Sequence, residues 1–162
     1  MTDREFFTKT IADELPRFDR LFKALPQEHA GYKPDPKSKS ALELAAYMAG
    51  EASTFEMFLK TGKVDMAVVG KPTSKTFIEA AEKFAKFLSD AKEIAGDMSQ
   101  EDWQSPAQML TGEKVEWETT KGAMAISLLL DLIHHRGQLS TYIRPMGGKV
   151  PSIYGPSADT NS

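Results

Sequence analysis

The sequence predicts an all-α protein built as a four-helix bundle. Four long segments repeat apolar residues at spacings of three and four, and the strand signals between them are few and short. The chain has 162 residues and an apolar content of 41%, which is enough to close one core without disulfides. We therefore expect one domain over residues 1–162, with short connecting segments and an irregular C-terminal tail.

The first helix is predicted over residues 3–25 and the second over residues 40–60, after the capping residue Ser40. The apolar stripe of the first helix reads Phe7, Ile11, Leu15, Phe18, Phe22 and Leu25. The stripe of the second reads Leu44, Met48, Glu51, Phe55 and Phe58. Glu51 therefore stands where the pattern requires an apolar residue, and Tyr47 lies one turn earlier at the edge of the same face.

The third helix is predicted over residues 74–95 and the last over residues 120–144. The stripe of the third helix reads Phe77, Ala81, Phe84, Leu88 and Ala91. Residues 97–118 are mixed in character. Within them, residues 111–113 are typical of a turn, and residues 115–117 are typical of a brief extended piece.

Charge and composition exclude several classes of function. The formal net charge of −3 and the pI near 5.7 give no basic field, so we expect no nucleic-acid partner. The absence of cysteine excludes disulfides, cysteine-ligated zinc and a cysteine nucleophile, and it is ordinary for the reducing cytosol. The charged residues 1–5 and the lack of a long apolar run predict neither a secretory signal nor a membrane span. We expect a cytoplasmic protein.

The last predicted helix contains the best candidate for a functional site. His134 and His135 are two of the three histidines in the chain, and Asp131 precedes His135 by four residues. Residues four apart on a helix project from one face, about 5–6 Å apart at Cβ. Asp131 and His135 therefore point to one spot. A carboxylate among aliphatic residues needs a partner, because burying an unpaired charge is costly.

Two interpretations of this pair remain open. In the first, the pair binds a metal ion and, if the second helix faces the last one, Tyr47 and Glu51 join them in an oxygen-rich site with a single nitrogen. Tyr47, Gln138 and Tyr142 are then candidates for binding substrate. In the second interpretation, the carboxylate accepts a hydrogen bond from the imidazole and no metal is bound. The neighbouring Arg136 is expected to form a salt bridge or to contact the C-terminal tail.

The residues around this pair resemble a known family. Residues 133–148 read IHHRGQLSTYIRPMGG, which looks like the last-helix motif of the DinB-like proteins. Residues 150–157 read VPSIYGPS and resemble the tail of one branch of that family. Residues 34–45 fit the segment that leads into the second helix of the family, so the resemblance covers essentially the whole chain.

The resemblance implies a four-helix bundle that is often a homodimer. Many members hold a divalent metal, commonly nickel or zinc, with one histidine from the second helix and two, four apart, from the last. The better-understood relatives are metal-dependent thiol transferases that use a low-molecular-weight thiol. With no cysteine in this chain, such a thiol must arrive as a cosubstrate.

Carried across residue by residue, the resemblance leaves one of these histidines in place. His135 matches the second histidine of the last helix, whereas Asp131 and Tyr47 stand at the other two positions. Aspartate is a competent ligand for zinc or manganese, and Glu51 can substitute for Tyr47 if it points inward. The resemblance therefore implies either a metal-dependent transferase or hydrolase that uses zinc, nickel or manganese, or a non-catalytic homodimeric bundle of a stress-response type that binds no metal. The sequence leaves open which of the two applies.

Overall fold

Four long helices, a one-turn helix and a small sheet make up the computed structural model, which describes residues 1–71 and 73–160. The elements are α1 Asp3–Lys23, a 3-10 turn Gln27–His29, α2 Ala41–Thr61, β1 Lys63–Asp65, α3 Phe77–Asp97, α4 Gln100–Trp103, β2 Pro106–Thr111, β3 Lys114–Thr120 and α5 Lys121–Ile143. The four predicted long helices are confirmed, and each of their ends lies within three residues of its expected position.

Local capping interactions define the two helices that carry the candidate site. The Ser40 hydroxyl accepts a hydrogen bond from the backbone N–H of Glu43, and the Glu43 carboxylate accepts one from the N–H of Ser40. The helix α2 ends at Gly62, whose φ of 72° lies in the left-handed region that favours glycine. The helix α5 starts with Thr120, which accepts from the N–H of Ala123.

Aromatic side chains from several helices fill the core. Phe7 and Trp103 pack with ring centroids 5.3 Å apart, and Phe18 packs on Phe84 at 4.5 Å. Each of these four side chains is at most 1% exposed, and burying such a side chain contributes roughly 1.5–3 kcal/mol. The long helices are amphipathic rather than apolar throughout. Among the described residues, no helix has the length and apolar character needed to cross a bilayer.

The sheet is larger than the sequence predicts. Strands β1 and β2 pair in parallel, and β2 and β3 form an antiparallel hairpin. The turn predicted at residues 111–113 is confirmed, with Gly112 at a φ of 62°. The brief extended piece predicted at residues 115–117 is part of the longer strand β3. Residues 114–120 of this strand pair with all of β2. Most residues of β3 are exposed, so the strand lacks the alternation of buried and exposed residues that would have revealed it.

A loop between β1 and α3 lies directly against α2. Gly70 in this loop has a φ of 65°, and a Cβ added there would overlap the ring of Tyr47. On the facing turn of α2, a Cβ added at Gly50 would lie 3.0 Å from the backbone of Gly70. The two glycines therefore permit a close approach that holds the loop against the Tyr47 ring.

The C-terminal tail is attached to the bundle through a buried ion pair. Arg136 of α5 and Glu14 of α1 are 3% and 4% exposed and are directly hydrogen-bonded to each other. The hydroxyl of Tyr154 accepts a hydrogen bond from Arg136 at 2.6 Å and donates one to Glu14 at 3.0 Å. The guanidinium groups of Arg17 and Arg136 also lie 4.8 and 4.9 Å from the centre of the Tyr154 ring. Both expectations for Arg136, a salt bridge and a contact with the tail, are confirmed.

Candidate metal centre

Three potential metal ligands converge where α2 packs against α5. Glu51 comes from α2, and Asp131 and His135 come from α5. One ligand atom from each of these side chains lies within 4.8 Å of the other two. Ligand atoms held tetrahedrally at about 2.1 Å from an ion lie roughly 3.4 Å apart, so the three side chains would have to move closer together to bind one ion.

Helical periodicity brings Asp131 and His135 together, as the sequence predicts. His135 Nε2 lies 3.4 Å from Asp131 Oδ2. The side chain of Asp131 is 49% exposed and that of His135 is 17% exposed, so the pair lies at the rim of the bundle with the carboxylate outermost. The sequence analysis brings Glu51 into the site only if α2 faces α5. The two helices do face each other here, and Glu51 completes the cluster.

Glu51 is the buried member of the cluster. The residue is 1% exposed, and its Oε2 has no hydrogen-bond partner among the described residues. Burial, followed by the negative charge of Asp131, raises the pKa of the Glu51 carboxyl to about 9. A buried carboxyl oxygen without a partner is uncommon in folded proteins. A cation between Glu51 and Asp131 would satisfy this oxygen and favour the ionised carboxylate.

Tyr47 forms one wall of the cluster. Its ring meets the ring of His135 edge to face, with centroids 5.2 Å apart. Burial and the nearby charges of Glu51 and Asp131 raise the pKa of the Tyr47 phenol above its ordinary value. The phenol is therefore protonated at neutral pH, so Tyr47 is a poor metal ligand but can donate a hydrogen bond.

Gln138 and Tyr142, the other predicted substrate-binding residues, occupy different environments. Gln138 is exposed, and its Oε1 lies 3.1 Å from Nδ1 of His135. When Nδ1–H donates to this oxygen, the lone pair on Nε2 is available on the Asp131 side. Tyr142 is 2% exposed, and its hydroxyl donates to the backbone carbonyl of Lys39 at 3.4 Å. Tyr142 is thus packed in the core and not gathered into the cluster.

Two clefts lie beside the cluster. The first cleft, with a volume of about 410 Å³, contains Glu51 and Asp131 in its wall. The remainder of its lining is mostly apolar and consists of Met66, Met109, Ser127, Leu128, Leu130 and His134. Met66 and Met109 come from the β1–α3 loop and from β2, which no periodic pattern in the sequence connects to α5. Sequence reasoning therefore missed both residues.

The second cleft, of about 480 Å³, lies on the side of Tyr47. It is lined by Lys33, Pro36, Lys37, Ser38, Lys39, Glu43, Tyr47, Val69, Gly70 and Lys71. These residues come from the segment before α2, from α2 itself and from the β1–α3 loop. The cleft is therefore formed by segments that are distant in sequence, and only the fold brings its lysines together.

This chain is similar to known proteins in both sequence and fold. The sequence model of the DinB family matches residues 3–161. The chain belongs to the DinB family. A DinB-like protein from Bacillus subtilis matches the structure with a TM-score of 0.67 and 18% identity, over 96% of this chain and 99% of that one. A DinB-like protein from Bacillus cereus matches with a TM-score of 0.75 and 15% identity, over 93% and 97%.

These two structural relatives share the DinB fold with this chain. At 15–18% identity they show the arrangement of helices and do not identify an activity. No curated protein sequence matches this DinB-family chain.

Proposed function

We propose that this DinB-family protein is a metal-dependent enzyme of the transferase or hydrolase type. In this proposal, Glu51, Asp131 and His135 bind one divalent cation of the zinc, nickel or manganese class. The observation that carries it is the unpartnered Oε2 of the buried Glu51, within a cluster of three ligand atoms that lie 4.8 Å or less apart. A cation gives this oxygen the partner it lacks.

The donor set suits such an ion and leaves room for chemistry. Two carboxylates and one imidazole are ligands that zinc and manganese accept readily. Three protein ligands leave at least one coordination position open, as in catalytic rather than structural sites. When bound, the cation would polarise a substrate or lower the pKa of a bound water or thiol. Because the chain has no cysteine, a low-molecular-weight thiol would have to be a cosubstrate.

The surrounding residues have distinct roles in this proposal. Gln138 orients the His135 ring through the 3.1 Å contact with Nδ1. The protonated phenol of Tyr47 can donate a hydrogen bond to a substrate or to water at the open position. The first cleft, with its apolar lining, admits the substrate to the side of Glu51 and Asp131. Tyr142 acts indirectly, since its hydroxyl holds the backbone of Lys39. The expected homodimer stays a prediction.

A second candidate function is a non-catalytic bundle whose ancestral site no longer binds metal. One observation favours it: the raised pKa of Glu51 makes that carboxyl neutral at pH 7 when no cation is present. A neutral Glu51 carries no charge that a cation would have to compensate. This alternative predicts that zinc, nickel and manganese cause no thermal shift, because a ligand that binds only the folded state must stabilise it.

The metal content of the purified, untagged protein tests the two functions. We would measure it by elemental mass spectrometry for the parent and for His135→Ala, with His134→Ala as the matched control. His134 is exposed and lies outside the ligand cluster. We expect nearly one metal per chain in the parent and the control, and a loss of metal in His135→Ala. Metal retained by His135→Ala would refute the ligand assignment, and a parent that stays metal-free after incubation with all three cations would favour the second function.

A further inference from the structure

The second cleft concentrates positive charge in a protein that is acidic overall. Four lysines line it, namely Lys33, Lys37, Lys39 and Lys71, whereas the chain as a whole has a net charge of −3. Among the residues that the structure describes, Glu43 is the only carboxylate in the lining. The positive charge of the lysines in the cleft therefore exceeds the negative charge that the lining supplies.

The one carboxylate of the lining is already engaged. Glu43 Oε2 accepts a hydrogen bond from the Ser40 backbone N–H at 2.6 Å and lies 3.4 Å from the ammonium group of Lys33. Within residues 1–71 and 73–160, the other three lysines of the cleft form no ion pair. The nearby Asp35 is outside the lining, and its Oδ1 accepts from the backbone N–H of Lys37. The ammonium groups of Lys37, Lys39 and Lys71 are thus available to an external anion.

The position of the cleft connects this charge to the metal centre. The ammonium of Lys39 lies 5.0 Å from the centre of the Tyr47 ring, and the same ring meets His135 at 5.2 Å. Gly70 brings the β1–α3 loop against the Tyr47 ring, and Lys71 follows it in the lining of the cleft. A small molecule with its anionic end among the lysines therefore lies one aromatic ring away from the ligand cluster.

We propose that the second cleft binds the anionic group, a carboxylate or a phosphate, of a small-molecule substrate. Lys39, from the segment before α2, and Lys71, from the β1–α3 loop, make the main contacts, and Lys37 adds positive charge. Ammonium groups bind such oxyanions as point charges, and a concave site concentrates their field. That the anion belongs to the substrate rests on the proposed function, whereas anion binding by these lysines does not depend on a metal.

The test is a calorimetric titration of the chelator-treated, metal-free protein with inorganic phosphate and, separately, with succinate at low ionic strength. We expect saturable binding of at least one of the two anions. The double variant Lys39→Gln/Lys71→Gln should raise its Kd about tenfold or more. The tighter of the two anions then indicates whether phosphate or carboxylate is the group recognised.

The matched control is Lys60→Gln/Lys114→Gln, which removes the same charge from lysines paired with Glu56 and Glu116 outside the cleft. We expect its Kd to stay within about twofold of the parent value, since distant exposed charges are largely screened. Two outcomes would overturn the proposal: no saturable binding of either anion, or equal weakening in the two double variants. Because the titration uses metal-free protein and no activity readout, a failure of the proposed metal function would leave its result unchanged.

Discussion

Glu51 is the residue whose protonation state determines how the candidate site behaves without metal. Its pKa of about 9 in the folded protein lies far above the value near 4.3 of an exposed glutamate. Burial is the larger cause and the charge of Asp131 the smaller one. Without metal, the Glu51 carboxyl therefore keeps its proton. A buried ionised carboxylate would instead need a cation beside it.

This raised pKa predicts a pH-dependent stability that Glu51→Gln removes. Below about pH 4.3 the carboxyl is protonated in both the folded and the unfolded chain, so its stabilising contribution is fully present. As the pH rises, the unfolded chain loses this proton first. The contribution therefore falls progressively and is lost as the pH passes through about 9.

Urea unfolding of metal-free parent and Glu51→Gln at about pH 5 and about pH 8.5 measures this effect. We expect the free energy of unfolding of the parent, relative to the variant, to be lower at the higher pH. A difference between the two proteins that is the same at both values would mean that Glu51 titrates normally.

Tyr47 is a second residue that we expect to affect the metal affinity of the candidate site. It stands at the position where the DinB resemblance implies a histidine on the second helix, and its ring already touches the ring of His135. We expect Tyr47→His to raise zinc affinity about tenfold or more, because a neutral imidazole is a far better ligand than a protonated phenol. Competition with a chromophoric chelator measures the change. Tyr32→His, at a tyrosine that packs on Tyr142 and does not line either cleft, should leave the affinity unchanged.

At the scale of elements, the helices α1 and α5 are joined by a buried ion pair, at a place where apolar side chains usually pack. Glu14 and Arg136 are both almost fully buried, and each is hydrogen-bonded to the other and to Tyr154. Removing one partner of such a pair leaves the other charge buried and alone. The pair therefore affects the free energy of unfolding most strongly when one of its two partners is removed.

We expect Glu14→Ala to lower the free energy of unfolding by about 3–5 kcal/mol. The adjacent Asp13→Ala is the matched control, since Asp13 is half exposed and pairs with Lys9 on the surface. Its cost should stay below about 1 kcal/mol. Urea denaturation of the two variants at neutral pH makes the comparison. Equal effects of the two substitutions would mean that the buried pair has no special role.

The β1–α3 loop depends on a glycine for two separate reasons. Gly70 combines a positive φ with direct contact against the Tyr47 ring, whereas Gly112 has a similar φ of 62° but no atom within 4 Å of an added Cβ. Gly112→Ala therefore reports backbone strain alone, about 1–2 kcal/mol. We expect Gly70→Ala to cost about 1–3 kcal/mol more, because the loop must move away from Tyr47. Thermal unfolding tests this, and equal costs would show that the loop is free to shift.

At the scale of the whole molecule, the long helices are predictable because each carries its own periodic stripe, and the second also begins after the capping residue Ser40. Ser40, Gly62 and the spacing of Asp131 and His135 are local signals that can be read directly. The departure of Glu51 from its apolar stripe correctly marked it as unusual. Glu14 is not predictable in this way, because the apolar stripe of the first helix runs through its neighbour Leu15 and the partner of Glu14 lies near the other end of the chain.

The sheet and both clefts depend on contacts that no local pattern encodes. The strand β1 has three residues, and most of β3 is exposed, so neither shows a clear period. Met66 and Met109 meet α5 only after the sheet has formed. The lysines of the second cleft come from two segments separated by the whole of α2. Such features follow from the three-dimensional arrangement of the elements and not from any one of them.

The attachment of Tyr154 also has a consequence for the order of folding. Its hydroxyl bridges Glu14 and Arg136, which are 122 residues apart in sequence, so its partners meet only after the first and last helices have packed. We therefore expect docking of the tail to be a late step of folding. We expect Tyr154→Phe to speed unfolding and to leave the refolding rate nearly unchanged in stopped-flow measurements, as for a side chain whose contacts form after the transition state. The docked tail would then slow the unfolding of the bundle, although the bundle does not need the tail in order to form.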